Sequence, residues 1–256
     1  MAGMATRNGN DLTDWARRPG WTSVPLDLDE RIVVAFATPL ADLEDHWRAE
    51  LEPVEFGRFR DLGFVTGLEQ HRGIYDPLLP VTTWAAVGWA PTGQVLSVCR
   101  MMRSWPGLDL PVLAAVDDGS MAVESVPALH AARHLPGATV EATIATVASA
   151  DRPTELPKPT LVCQGLFVAA IAAFGCRWIL SAVDPGALEH AHAKAPGAER
   201  IRTVGHGCDT AGIESLVVTL DVGDVVRGLT DGAPDLLASA MRATRQLLGG
   251  VEPMVA

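Results

Sequence analysis

The chain has 256 residues, of which 48% are apolar and 20% charged, and its formal net charge is -11 at pH 7. This length and composition are typical of a globular enzyme with a well-buried core. The acidic balance argues against a nucleic-acid partner, because that binding depends on Lys and Arg side chains that neutralise phosphates. No apolar run approaches the roughly 20 residues of a membrane span, and the polar N-terminal residues lack the apolar core of a secretion signal. A cytoplasmic protein without membrane contact is therefore expected.

The cysteines are scattered along the chain, at Cys99, Cys163, Cys176 and Cys208. Three of them lie in apolar stretches, which favours buried, reduced thiols over disulfides. No CxxC spacing indicates a zinc centre, so no metal site is expected.

The first half of the chain predicts a short extension followed by mixed elements. Residues 1–29 are rich in Gly, Pro, Asp and Arg and predict a loose extension, which leaves residues 30–256 as a single domain. A strand is predicted at residues 31–38, and an exposed helix at residues 40–51. Pro53 is expected to end that helix before a second one continues to about residue 68.

The remaining elements alternate between strands and helices. Two strands at residues 82–90 and 94–102 flank Pro91-Thr92-Gly93, which is good hairpin chemistry. The later predictions are two short helices (110–135), a central strand (138–148), a buried helix (160–174), a strand (177–183), a helix (186–194), a strand pair (199–205 and 212–221) and a closing helix (231–248). This order predicts an α/β (α+β) fold with a central mixed, largely antiparallel sheet and helices on both faces.

Chemistry-bearing residues cluster around the hairpin. Arg60 and Phe64 are four apart in the preceding helical segment, and Asp76 follows them. The second hairpin strand ends at Arg100, and Glu141 stands inside the apolar run VEATIATV. An acid in the middle of such a run is expected to face a pocket or a partner, because burying an unpaired carboxylate is costly.

The order and spacing of these residues resemble the acyl-homoserine-lactone synthases, a branch of the GNAT N-acyltransferase superfamily. The resemblance implies the same layout of sheet and helices that the element order predicts. In that family an acyl group passes from an acyl-carrier-protein thioester to the amine of S-adenosylmethionine. The substrate carboxylate then displaces the sulfonium, which closes a lactone and releases methylthioadenosine (MTA).

The resemblance assigns roles to five residues. Arg60 and Phe64 match an Arg-xxx-Phe pair, and Asp76 matches an acidic position, so all three are implied to bind substrate. Arg100 matches the arginine that ends the hairpin, and Glu141 matches a glutamate on the next strand, so both are implied to be catalytic. Carboxylates suit a sulfonium or ammonium, guanidinium groups suit a carboxylate or thioester oxygen, and a glutamate on a rigid strand suits a general base.

Simpler roles remain open for each of these residues. Asp76 can cap the turn before Pro77, Arg60 and Arg100 can form ordinary ion pairs, and Glu141 can face outward at an edge.

Three positions depart from the family pattern. Gln70 stands where a Trp is expected, Gly73 replaces the first of two acids, and Ile144 replaces the arginine of Glu-xx-Arg. These changes predict a product other than a standard acyl-homoserine lactone. In addition, residues 148–161 (ASADRPTELPKPTL) lack the glycines with which CoA-dependent GNATs hold a pyrophosphate, which favours a carrier-tethered donor.

The leading hypothesis is therefore a transferase of secondary metabolism, with S-adenosylmethionine as substrate and no tightly bound cofactor. Its predicted partner is an acyl or peptidyl carrier protein that bears the thioester. Three alternatives remain: cyclisation of carrier-bound S-adenosylmethionine to 1-aminocyclopropane-1-carboxylate with release of MTA, N-acyl transfer to an amino acid or amine, and a non-catalytic GNAT-like binding protein.

Overall fold

The computed structural model describes residues 22–37, 45–146, 159–195, 197–208 and 212–248. Within these ranges nine strands form one sheet in the order β1-β2-β3-β4-β6-β7-β9-β8-β5. The strands are β1 (Thr22–Leu26), β2 (Asp29–Ala37), β3 (Thr82–Trp89), β4 (Gln94–Arg103), β5 (Met121–Val123), β6 (Thr139–Thr146), β7 (Trp178–Val183), β8 (Arg202–Cys208) and β9 (Glu214–Asp221). Every neighbouring pair is antiparallel except β6 and β7, which are parallel.

Helices cover both faces of this sheet. They are α1 (Asp45–Asp61), α2 (Leu68–Tyr75), α3 (Pro111–Asp117), α4 (Pro127–His134), α5 (Pro159–Ala173), α6 (Pro185–Lys194), α7 (Val222–Gly232) and α8 (Pro234–Leu248), with short 3-10 helices at Asp76–Val81 and Ala198–Arg200. One face packs on α5, α7 and α8. The opposite face packs on α1, α2, α3 and α4. The predicted fold class, a largely antiparallel sheet with helices on both faces, is confirmed.

Residues 165–171 of helix α5 are all buried, which agrees with the apolar character of this segment. Leu166, Ala170 and Ile171 are fully buried, and the helix lies between the sheet and α8. Among the described residues, no helix is long and apolar enough to cross a membrane.

The structure differs from the predicted elements in several places. The helix predicted to continue to about residue 68 ends at Asp61, and the separate helix α2 (Leu68–Tyr75) was not predicted. Residues 22–26 form β1, so the predicted loose extension over residues 1–29 is wrong there; residues 1–21 lie outside the described ranges. Helix α1 continues through Pro53 as one helix, since its buried side is held against the sheet. The three-residue strand β5 and helix α7 were not predicted, because short apolar segments beside Asp and Gly pairs read as turns.

Candidate functional site

Strands β6 and β7 separate soon after they meet. Their pairing covers only Thr139↔Trp178 and Val140↔Ile179, although β6 continues to Thr146. Where the two strands begin to separate, the hydroxyl of Ser181 on β7 joins them. It accepts from Ala142 N and donates to Ala142 O on β6, both at 3.2 Å. Residues 142–144 of β6 are accordingly only half-buried although the strand lies inside the sheet. The sheet therefore opens into a split between two central strands.

A buried ion pair lies one strand away from this split. Arg100 on β4 is 3% exposed and Glu55 on α1 is 0% exposed. The guanidinium Nε donates to Glu55 Oε1 at 3.1 Å, and Nη2 donates to Oε2 at 2.6 Å. This bidentate geometry is the strong form of an arginine–carboxylate contact, and it holds the end of β4 against α1.

Two further side chains converge on the Glu55 carboxylate. Thr143, the β6 residue that pairs with Arg100, donates its hydroxyl to Glu55 Oε1 at 2.7 Å. His71 on α2 is 0% exposed, and its Nε2 atom lies 3.0 Å from Glu55 Oε2. The two atoms are close neighbours, although neither imidazole nitrogen makes a hydrogen bond that meets the geometric criteria. We call Glu55, His71, Arg100 and Thr143 the Glu55 cluster.

Aromatic rings enclose the Arg100 guanidinium. Its central carbon lies 4.3 Å from the ring centroid of Tyr75 and 4.1 Å from that of Trp84, within the range of cation–π attraction. His71 also contacts Tyr75, with ring centroids 5.0 Å apart. Among the described residues, Nη1 of Arg100 is buried and has no hydrogen-bond partner. The arginine is thus fixed in orientation with one nitrogen unpaired.

A second ion pair flanks the Glu55 cluster. Arg72 on α2 binds Glu52 on α1 through Nε at 3.0 Å and Nη2 at 2.7 Å. Asp76, at the end of α2, is half-buried and contributes to raising the pKa of Arg72, after the hydrogen bond and charge of Glu52. Asp76 therefore lies on the same side of the sheet as the cluster, in the segment where the sequence predicts a substrate-binding acid.

Glu141 is buried on this same face, at 4% exposure. It pairs with Met102 in the sheet and stands two residues before Thr143, so both side chains point to the α1 side. Its Oε2 accepts a hydrogen bond from the backbone N–H of Val112, in the first turn of α3, at 3.0 Å. The burial agrees with the expectation that this acid faces a partner, and its assignment as general base remains a prediction.

Arg60 lies in the last turn of α1, and Phe64 follows the end of that helix. The Arg60 side chain is 58% exposed, contacts Asp61 at 3.4 Å and lies over the Phe56 ring. Phe64 is half-buried and packs edge-on against Phe59, with ring centroids 5.7 Å apart. The structure thus brings Arg100 and Glu141 together on one face and leaves Arg60 at the surface.

The three departures from the family pattern have clear structural settings. Gln70 is exposed and accepts from the Thr66 backbone N–H and hydroxyl at the start of α2. Gly73 is exposed, with open space around its Cα. Ile144 points to the sheet face opposite Glu141, because the two are three residues apart on one strand. The predicted donor loop, residues 148–161, lies mostly outside the described residues.

The sequence analysis did not predict Glu55 or His71 as site residues. The spacing of apolar residues around Glu55 nevertheless indicates that it is buried. Leu51, Glu55 and Phe59 are spaced four residues apart, which places them on one side of a helix. Leu51 and Phe59 are both buried, so the acid stands in the middle of an apolar stripe. An acid in that position requires a buried partner.

The environment of Glu55 lowers the pKa of its carboxyl group. Burial by itself raises the pKa of this carboxyl, but the charge of Arg100, with the contact to His71, outweighs burial and lowers the pKa from 4.5 to about 2. The carboxylate is therefore ionised throughout the physiological pH range.

This lowered pKa predicts an acid-sensitive fold. A folded-state pKa below the unfolded value adds stability that is complete above pH 4.5 and is lost as the pH falls toward 2. The shift corresponds to about 3 kcal/mol of unfolding free energy. Between pH 7 and pH 3, urea denaturation should show a loss that is about 2 kcal/mol larger in the wild type than in Glu55→Gln, because pH 3 lies between the two pKa values. Equal losses in both proteins would contradict the assignment.

Comparison with known proteins identifies the class of fold. No protein-family model matches this sequence, and no curated protein matches it. FeeM, an N-acyl amino acid synthase from uncultured soil microbes, superposes with a TM-score of 0.53 at 10% identity, over 79% of this chain and 97% of that chain. TofI, in a ternary complex with an inhibitor and MTA, superposes with a TM-score of 0.52 at 15% identity, over 80% and 99%.

These likenesses cover nearly the whole of both known structures, and at such identities they establish the fold alone. The chain has a GNAT-like fold, which it shares with FeeM and TofI.

Proposed function

We propose that this chain is a transferase that resembles acyl-homoserine-lactone synthases and acts in secondary metabolism. Its substrates are S-adenosylmethionine and a thioester tethered to an acyl or peptidyl carrier protein, and its product is not a standard acyl-homoserine lactone. The observation that carries the proposal is the split between β6 and β7, with Glu141 and Arg100 on adjacent strands beside it.

The charges around the split suit a cationic substrate. Among the described residues, Glu52, Glu55, Asp76 and Glu141 place carboxyl groups on the α1 face, together with the guanidinium groups of Arg72 and Arg100. A sulfonium and an ammonium are attracted to carboxyl groups. In this role Asp76 and Glu141 hold the positive groups of S-adenosylmethionine, and Glu141 accepts a proton from the reacting substrate.

The split suits an extended tethered group. Strands that separate leave backbone N–H and C=O groups without a partner strand, and an extended arm with amide groups can pair with them. A TofI structure contains MTA, which is the by-product expected when the sulfonium of S-adenosylmethionine is displaced and its aminobutyrate part is released.

N-acyl transfer to an amino acid without S-adenosylmethionine is a second candidate. It is favoured by the likeness to FeeM, which is described as an N-acyl amino acid synthase. The two candidates differ in whether MTA is released when a loaded carrier protein is supplied.

A thermal-shift panel tests the proposal first. We expect S-adenosylmethionine and MTA to raise the melting temperature and acetyl-CoA to leave it unchanged. A ligand at one hundred times its dissociation constant adds about 2.7 kcal/mol of stability, which is readily detected. A shift with acetyl-CoA alone would contradict the proposal and indicate an ordinary acetyltransferase.

Chromatographic detection of MTA with a series of loaded carrier proteins is the second step. Release of MTA together with an acylated product supports the leading reaction. MTA without any acyl acceptor would instead indicate ring closure of carrier-bound S-adenosylmethionine. Acylated amine without MTA would support the second candidate, and the absence of any product would favour a non-catalytic binding protein.

A further inference from the structure

The contacts around Arg100 fix the orientation of its guanidinium group. Its Nε and Nη2 atoms donate to Glu55, and its central carbon lies 4.3 Å from the ring centroid of Tyr75 and 4.1 Å from that of Trp84. Of the three guanidinium nitrogens of Arg100, Nη1 is buried and has no hydrogen-bond partner among the described residues. A buried donor without an acceptor is costly, so this nitrogen marks the place of a ligand oxygen that approaches in the guanidinium plane.

The position of Nη1 suits a ligand that enters the split. Arg100 pairs in the sheet with Thr143, and Thr143 is half-buried in the part of β6 that has left β7. A group that enters between β6 and β7 therefore reaches the level of Thr143 and of Arg100, which pairs with it on β4.

The charge balance decides what kind of oxygen fits. The Arg100 charge is already matched by Glu55, which is ionised at neutral pH, and Arg72 is matched by Glu52. A second carboxylate beside Arg100 would meet an excess of like charge, whereas an uncharged carbonyl oxygen would not.

We infer that Glu55 makes Arg100 selective for an uncharged carbonyl oxygen, namely the thioester carbonyl of the tethered substrate, over a free carboxylate. This inference rests on the proposed function, since the thioester is the substrate class proposed there. Glu55 acts through Arg100 and is therefore a positioning residue. Polarisation of the thioester carbonyl by Nη1 makes its carbon more susceptible to attack by the substrate amine.

A matched pair of stable probes tests the inference. Pantetheine alkylated with iodoacetamide carries an uncharged carbonyl near the sulfur, and pantetheine alkylated with iodoacetate carries a carboxylate of almost the same size. Isothermal titration of the full chain should give at least about tenfold tighter binding of the uncharged probe. Equal or tighter binding of the carboxylate probe by the wild type would overturn the inference without any variant.

Three substitutions separate charge from structure. Glu55→Gln removes the matching charge and keeps the shape, so the preference should disappear or reverse. Thr143→Val removes a hydrogen bond but no charge, and Glu69→Gln removes an exposed charge on α2, so both should keep the preference. An unchanged preference in folded Glu55→Gln would overturn the role of Glu55. Binding of neither probe by the wild type would overturn the proposed tethered substrate and the inference with it.

Discussion

Replacing Glu55 by alanine should lower the free energy of unfolding by about 3–5 kcal/mol, because it leaves Arg100 charged and buried without its partner. Arg100 is 3% exposed, and water cannot readily replace the lost carboxylate. His71 and Thr143 lose the same partner. Urea denaturation at pH 7, followed by far-UV circular dichroism, measures the change.

Glu69→Ala is the matched control for this substitution. Glu69 lies on α2 and is exposed, so its removal should change the unfolding free energy by no more than about 0.5 kcal/mol. If Glu55→Ala had an equally small effect, the buried cluster would not hold α1 to the sheet.

Glu141→Gln is expected to slow product formation by about 10²- to 10⁴-fold if Glu141 is the general base of the proposed reaction. Glutamine keeps an oxygen that can accept from Val112 N–H, so the contact with α3 survives and the melting temperature should change little. The rate is measured as release of MTA in the presence of S-adenosylmethionine and a loaded carrier protein.

Glu124→Gln provides the control for that assay. Glu124 is 65% exposed and pairs with Arg202 at the surface, so its neutralisation should leave the rate unchanged. A Glu141→Gln protein that keeps the wild-type rate would remove Glu141 from the chemistry and leave it as an anchor for α3.

Most of the fold followed from local patterns in the sequence. The hairpin of β3 and β4 was predicted with nearly correct bounds, because Pro-Thr-Gly lies between two apolar runs. The strand that carries Glu141 was also found, and its apolar neighbours indicated that the acid is buried. These features depend on contacts between residues that are close in sequence, which is where periodicity and turn chemistry are informative.

The Glu55 cluster was not predictable in the same way. Its ion pair joins residues 45 apart and its Thr143 contact spans 88 residues, so no local pattern links them. The apolar stripe of Leu51 and Phe59 indicates that Glu55 is buried, but it does not identify the partner. Arg60 shows the opposite case, since it fits a family motif but lies at the surface next to Asp61.

The separation of β6 from β7 also bears on self-association. A sheet has two outer edges, and a flat edge strand invites pairing with another molecule. In the described part of the chain, both outer edges are short: β5 has three residues, and β1 has five with Pro25, which offers no N–H. The split adds two inner edges, and these lie between helices on both faces. The backbone N–H and C=O groups that can still pair are thus concentrated in the split between β6 and β7. A small extended molecule fits there, whereas the sheet of a second molecule does not.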